Sequence, residues 1–273
     1  MTGAGGGGEG AVVDAVVLAG GVDRGELAAQ TGVPYRPLLE VAGRPLILHV
    51  LGALGRTTGV DRVAVVGPPA VLEAADELMV DFRVPAGEHF LGNLLAGIST
   101  INSGRANSSP NHVLVITGDL PLITPAAVDD FVERSLAAYA DVTYPIIPKA
   151  SCERQFPGGR RTYVRLREGV FTGGNAVVLT RQFVEQSKEL IGRLYAYRKN
   201  PIRLATLFGP GFILGLVLGR LTISALEGRA STIVGGRVRA IVSEHPDLGF
   251  DVDKLEDLVI AREVAAGAMA GEQ

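Results

Sequence analysis

Short runs rich in β-branched residues recur along this chain, at Val12–Leu18, Arg62–Val66, Val113–Thr117, Val142–Ile147, Asn175–Leu179 and Val238–Ser243. Most are separated by stretches whose apolar residues fall at helical spacing, and that alternation admits few architectures besides a sheet with helices on both faces. Val113-Leu114-Val115-Ile116 is apolar without interruption, the pattern of a central parallel strand covered on both sides. The long polar excursion between Thr143 and Asn175 points to a mixed sheet. The expectation is a three-layer αβα fold with a mixed, mostly parallel sheet. Helices are expected at Pro45–Arg56, Val71–Leu78, Asn93–Ile101, Pro125–Tyr139 and Lys254–Ala266. The fourth has a start signal, Thr124 as cap and Pro125 at the first helical position.

One domain of residues 11–273 accommodates this pattern, with a glycine-rich tail, residues 1–10, expected to be disordered in front of it. The tail formally contains GxGxxG, at Gly3, Gly5 and Gly8, but it precedes the first strand, whereas a dinucleotide fingerprint follows one. It also lacks the basic and apolar regions of a signal peptide. From about residue 182 to 230 the rhythm breaks into a helical, strongly apolar stretch, read as an insertion. A formal charge of −3 gives no footprint for a duplex nucleic acid and favours a small-molecule partner. Cys152 has no internal partner, and His49, His89, His112 and His245 form no zinc pattern. Cytoplasmic residence is the expectation.

Three segments carry candidate chemistry. The first strand runs into Leu18-Ala19-Gly20-Gly21, where glycines allow backbone N–H groups to approach phosphate oxygens. Arg24 and Arg36 on the same loop can offset a triphosphate's charge; an ordinary Gly-Gly turn with solvated arginines fits the pattern equally. The run 113–117 ends in Gly118-Asp119, at the carboxyl end of a strand, where open α/β sheets bind ligands. Asp119 suits magnesium, which takes one or two carboxylates and completes its shell with phosphate and water; the plainer alternative is a turn aspartate. In Gly249-Phe250-Asp251-Val252-Asp253, Asp253 and Glu256 read as a capping box for the last helix. Asp251 is left as a second metal ligand or a solvated loop acid.

In this order, Leu18-Ala19-Gly20-Gly21, Arg36-Pro37-Leu38-Leu39, Gly43-Arg44-Pro45-Leu46, Gly118-Asp119-Leu120-Pro121 and Asp251-Val252-Asp253 resemble the NTP-transferase superfamily, in particular its molybdenum-cofactor guanylyltransferase-like (MobA-like) group. The resemblance spans roughly residues 12 to 261. It implies a Rossmann-like nucleotidyltransferase fold and an enzyme of the EC 2.7.7 type, with Leu18, Ala19, Gly20, Gly21, Arg24 and Arg36 on the nucleotide. It further implies Mg²⁺ at Asp119 and Asp251, with Arg36 and Asp119 as catalytic residues. A lysine is usual where Arg36 stands, and arginine replaces a point charge by a planar fork. The loop between Gly21 and Arg36 is longer than in the best-known members. Gly87 and Asn93 match a stretch that approaches the base, although Asn93 serves equally as a helix cap. Gly174 and Asn175 stand where related sugar-nucleotide enzymes meet the acceptor, and Arg161 is a candidate for its phosphate or a solvated residue.

The activity so implied is transfer of NMP from an NTP to a phosphorylated small-molecule acceptor, with pyrophosphate released. No protein nucleophile is needed, in keeping with the absence of a Ser-His-Asp or Cys-His set. The alternative is a catalytically impaired, nucleotide-binding regulatory protein on the same fold; an oxidoreductase is disfavoured by the glycine spacing. The most apolar segment, Leu204–Gly219, is too short for a transmembrane span, which needs about 20 residues. It reads as two short helices packed as core, or as an exposed surface for a homo-oligomer or a membrane-surface contact.

Overall fold

The computed structural model describes residues 12–78, 80–103, 110–197 and 209–271; the glycine-rich tail and Leu204–Phe208 of the apolar segment lie outside them. The strands are β1 (Val13–Leu18), β2 (Glu40–Val41), β3 (Arg44–Pro45), β4 (Val60–Gly67), β5 (Phe82–Pro85), β6 (His112–Thr117), β7 (Val142–Pro148), β8 (Val164–Leu166), β9 (Gly169–Gly173), β10 (Ala176–Thr180) and β11 (Val238–Val242). The α-helices are α1 (Glu26–Thr31), α2 (Leu46–Leu54), α3 (Pro69–Ala74), α4 (Phe90–Asn102), α5 (Pro125–Ala137), α6 (Lys149–Gln155), α7 (Arg181–Gln186), α8 (Lys188–Tyr197), α9 (Pro210–Val217), α10 (Ile223–Val234) and α11 (Leu255–Gly271).

The main sheet runs β5-β4-β1-β6-β10-β7-β9-β8, with β11 joined to β7. β5, β4, β1 and β6 are mutually parallel, β10 lies antiparallel between β6 and β7, and β11 is parallel to β7. The sheet is therefore mixed with most strands pointing one way, as the sequence pattern requires. Chain order reverses direction across β1: β4 and β5 lie to one side and β6 to the other. A crevice forms at such a switch point, beyond the carboxyl ends of the strands.

Alternation along each central strand fills both faces. Val13, Ala15 and Val17 of β1, with Leu114 and Ile116 of β6, pack beneath α2 and α5, where Ile47, Leu51, Val128 and Phe131 meet them. Val16, Val113 and Val115 turn the other way onto Leu94, Ile98 and Ile101 of α4. Each such side chain taken fully out of water contributes about 1.5–3 kcal/mol, so the crevice sits on a rigid platform.

The polar excursion before Asn175 holds α6 and the short β8–β9 hairpin, so three small elements stand where sequence spacing shows no run. Within the segment read as a helical insertion, the described residues form α7 to α10, joined by non-helical residues at Ser187 and at 218–222. Gly209, with φ +87, stands at the N-cap of α9 and Pro210 opens its first turn; the residues before Gly209 in the apolar segment, on which the reading of a helix interrupted there depends, lie outside the described ones. Leu214 and Leu218 are 60% and 51% exposed, which corrects the packed-core reading for this part of the apolar segment: two turns of helix cannot turn every face inward. Among the described residues no helix is long and apolar enough to cross a membrane.

Thr124 caps α5 as expected, its hydroxyl accepting the Ala127 N–H at 3.2 Å. It is also tied from outside: buried Asp247 accepts both the Thr124 N–H and hydroxyl, at 3.0 and 2.7 Å. Thr124→Ala is expected to cost about 1–2 kcal/mol, at the upper end for a cap because one change removes both bonds of the hydroxyl. Urea denaturation would read this as a lowered midpoint at unchanged slope.

Candidate active site

β1 delivers Leu18-Ala19-Gly20-Gly21 into the crevice. Ala19 is buried, its N–H held by the Val66 carbonyl at 2.9 Å. Gly20 is required by packing, since a Cβ there would stand 2.9 Å from the Cβ of Ala86. At Gly21 a Cβ would meet nothing within 4 Å; the protein leaves that side open, and a phosphate can approach its amide. Arg24, beyond it, is exposed.

The segment opposite is fastened by Asn93. Its Oδ1 accepts the Gly87 N–H at 2.7 Å and its Nδ2 donates to the Gly87 carbonyl at 3.3 Å. Helix α4 starts earlier than the sequence pattern indicates, with His89 at its N-cap position. Asn93 therefore lies within the helix and is not its cap. It clamps the Gly87 turn against Gly20.

Arg36 opens a 3₁₀ turn, Arg36–Leu38. Its Nε donates to Asp23 at 3.1 Å, and Nη1 is hydrogen-bonded to Asp253. Burial opposes its charge, but the carboxylates of Asp253, Asp23 and Asp119 outweigh this and hold it firmly protonated. The planar fork spans two carboxylates from distant parts of the chain, a geometry well suited to guanidinium. Asp253 is accordingly not the cap of α11. The N–H groups of Asp253 and Lys254 donate to Asp257 Oδ2 at 3.1 and 3.0 Å. Buried Asp257 reaches back while Glu256 faces solvent, so the capping-box reading is replaced by this arrangement.

At the end of β6, a Cβ on Gly118 would come within 2.9 Å of the Cβ of Ala19 and 3.0 Å of Ile47 Cδ1, so the first and second motifs touch. Asp119 follows. Its Oδ1 is sealed from solvent and makes no hydrogen bond of good geometry; the hydroxyl of Thr117 lies close enough to bear on the carboxyl but is not aligned to satisfy it. The Asp119 carboxyl is pushed up to about 6, first by burial and then by the charge of Asp251, against the influence of Thr117 and Arg36. The Val252 N–H donates to the Asp119 carbonyl at 3.3 Å and so brings the third motif alongside.

Asp251 is not a solvated loop acid. Its side chain is 17% exposed and ion-paired with Arg161, itself 12% exposed. Arg161 Nη2 also donates to the Asp251 carbonyl at 2.8 Å, and its guanidinium lies 4.8 Å from the Phe250 ring centroid. Phe250 in turn packs on Phe156 at 4.5 Å. Burial, then Asp253, pushes the Asp251 carboxyl up, and Arg161 opposes them. The reading of Arg161 as a solvated residue is thus corrected: it is a fixed partner of the second carboxylate.

Gly174 and Asn175 lie at the same end of the sheet. A Cβ on Gly174 would stand 2.8 Å from Pro145 Cγ and 3.0 Å from the Leu248 carbonyl. The Asn175 N–H donates to that carbonyl at 2.8 Å, and the Asn175 carbonyl accepts the Thr117 N–H at 3.2 Å. Tyr144, which no sequence signal marks, donates its hydroxyl to the Gly174 carbonyl at 2.7 Å. Its ionisation is pushed up by burial of the hydroxyl and by Asp251, although the residue as a whole is 40% exposed.

A family model for the MobA-like NTP transferase domain matches residues 15–200. The chain belongs to this family. It is 38% identical to a structure described as a hypothetical transferase from Thermus thermophilus, over 90% of this chain and 99% of that one, with a TM-score of 0.77. Among curated proteins, the 3-deoxy-manno-octulosonate cytidylyltransferase of Serratia proteamaculans is 26% identical over 250 residues, 88% of this chain and 96% of its own. A CMP:2-keto-3-deoxy-manno-octonic acid synthetase solved with CTP shares the fold at a TM-score of 0.58 and 16% identity, over 96% of this chain and 100% of that one. The fold and family are those of nucleotidyltransferases.

For the magnesium that the family resemblance implies, the donors fit. Among the described residues no group of three or more His, Cys, Asp or Glu side chains is placed to hold a metal unaided. Asp119 nevertheless offers a buried oxygen without a well-aligned partner, next to a second carboxylate. Magnesium commonly takes one or two carboxylates and draws the rest of its shell from phosphate oxygens and water.

Proposed function

We propose that this chain transfers the NMP part of an NTP to a phosphorylated small-molecule acceptor and releases pyrophosphate, with a cytoplasmic setting. The observation that carries the reading is the buried oxygen of Asp119 at the switch point, without a well-aligned partner and with Asp251 beside it. An acid so placed destabilises the free protein, and a cation shared with a triphosphate relieves it.

In the proposed reaction an acceptor oxygen bonds to the α-phosphorus in line while the bond from that phosphorus to the α–β bridging oxygen breaks. The electron pair leaves with pyrophosphate. The open face at Gly21 admits the phosphates, and the Gly20-Gly21 amides and Arg24 meet them. Gly87, set by Asn93, borders the base. Arg36, already protonated and held by Asp23 and Asp253, presents a fixed positive charge to the leaving pyrophosphate. Asp119 and Asp251 would hold Mg²⁺, which when bound neutralises phosphate charge and draws the α-phosphate toward attack. The Arg161 guanidinium, paired with Asp251 in the free protein, would meet the acceptor's phosphate toward Gly174 and Asn175. Catalysis then rests on alignment and charge neutralisation.

The cytidylyltransferase relatives support NMP transfer from an NTP, while the nucleobase and the acceptor are left to experiment. Each of the four common NTPs, with magnesium and pools of phosphorylated acceptors, would be assayed for pyrophosphate. The expected result is release with one preferred NTP, stopped by a chelator. Saturable NTP binding with no pyrophosphate from any pool would overturn the enzyme reading in favour of a nucleotide-binding regulator.

A further inference from the structure

A cavity of about 300 Å³ lies between the far half of the sheet and the helices that follow α8. Its floor includes Ile146, Leu166 and Phe171, and its roof Leu216, Ile223 and Leu226. The charged groups in the wall satisfy each other: Glu227 accepts the Ala240 N–H at 2.8 Å and pairs with Arg239 at 3.4 Å. What remains facing the space is almost wholly hydrocarbon, at the small end of the range for ligand pockets. A polar sugar placed there would leave its hydroxyls without partners.

Position links this cavity to the candidate site. Tyr144 and Gly173 line it. The Tyr144 hydroxyl reaches the Gly174 carbonyl, and its ionisation feels Asp251. The apolar space thus begins at the residues assigned to the acceptor. Its roof, α9 and α10, lies beyond residues 15–200, the span matched by the family model.

We infer that the cavity receives a hydrocarbon chain carried by the acceptor, whose phosphate head group lies toward Arg161, Gly174 and Asn175. The inference deepens the transferase reading and rests on it for the acceptor's role.

The test uses the full chain and short n-alkyl phosphates, butyl to octyl, titrated by calorimetry, with NTP binding measured on the same samples. Wild-type affinity is expected to rise by up to about fourfold per methylene until the cavity is full. Ala230→Trp, which fills the space from the roof, is expected to abolish that increment while NTP affinity stays unchanged. If this variant does not fold, Leu226→Ala enlarges the cavity and is expected to move the preferred chain length upward by one or two carbons. Affinity independent of chain length in the wild type, an undiminished increment in Ala230→Trp, or an unmoved preference in Leu226→Ala would overturn the inference. So would a wild-type dimer that excludes alkyl phosphates and dissociates on Ala230→Trp, since the cavity would then be a self-association face. A wild type that binds alkyl phosphates by chain length but no NTP would overturn the transferase reading instead, leaving a hydrocarbon site with another purpose.

Discussion

Asp119→Asn is expected to lower pyrophosphate release by at least 10²–10³-fold, on the order seen when one charge-stabilising group is removed from an active site, while making the metal-free protein more heat-resistant near neutral pH. The two effects share a cause. The carboxyl ordinarily ionises near 3.8 and is pushed up to about 6 in the folded chain, by burial first and by Asp251 second. Between those values the folded state binds the proton more strongly than the unfolded state, so the contribution of this group to stability falls as pH rises through that window. Below about 3.8 the stabilising contribution is fully present; above 6 the protein carries a sealed, ionised oxygen without a well-aligned partner. Asparagine keeps the size and removes the charge. Calorimetry in a chelator at pH 5 and 7.5 should show the variant gaining most at the higher pH, with a flatter profile between. Magnesium-dependent turnover near the wild-type level would overturn the ligand assignment, and an unchanged melting profile would overturn the account of its burial.

Central features were legible in the sequence because two-sided burial writes itself into composition. Val113–Ile116 has no polar residue, the pattern of a strand covered above and below. The edges were not legible. Phe82–Pro85 is the outermost strand on one side and the three-residue Val164–Leu166 the outermost on the other, and such pieces are too short to show periodicity. The motifs placed Gly20, Gly21, Asp119 and Asp251 at one end of the sheet, where the fold does bring them together. What each side chain touches depended on long-range pairing. Asp253 carries a helix-start signal, yet Arg36, 217 positions away in the chain, takes its carboxylate, and Asp257 does the capping. Asn93 reads as a cap because it falls near a helix start, but the helix begins at Phe90 and the side chain turns to Gly87. Tyr144 sits in an ordinary alternating strand, and only the packing of Gly174 against Pro145 gives its hydroxyl a partner.

The Arg161–Asp251 pair gives the other large effect. Both side chains are mostly buried, and removing one member of such a pair leaves the other's charge uncompensated. Arg161→Met is therefore expected to destabilise the metal-free protein by about 3 kcal/mol. Methionine retains apolar contact with Phe250, so the loss reports chiefly the ionic pair rather than a void. Asp251 already has its carboxyl pushed up by burial and by Asp253, with Arg161 opposing. Without the arginine that upward push is unopposed, and the variant should recover stability as pH is lowered. A divalent cation bound with NTP offers the same compensation without a proton. Magnesium and NTP together are thus expected to raise the variant's melting temperature by more than they raise the wild type's, because they restore a countercharge that the wild type already has. The acceptor KM should rise by tenfold or more at the same time, since the guanidinium assigned to the acceptor phosphate is gone. Equal thermal shifts in the two proteins would remove Asp251 from the metal site, and an unchanged KM would remove Arg161 from the acceptor site. Adding Asp251→Asn separates the two roles: the double variant should regain the lost stability without magnesium, yet turn over no faster than Asp251→Asn alone and keep the raised acceptor KM of Arg161→Met.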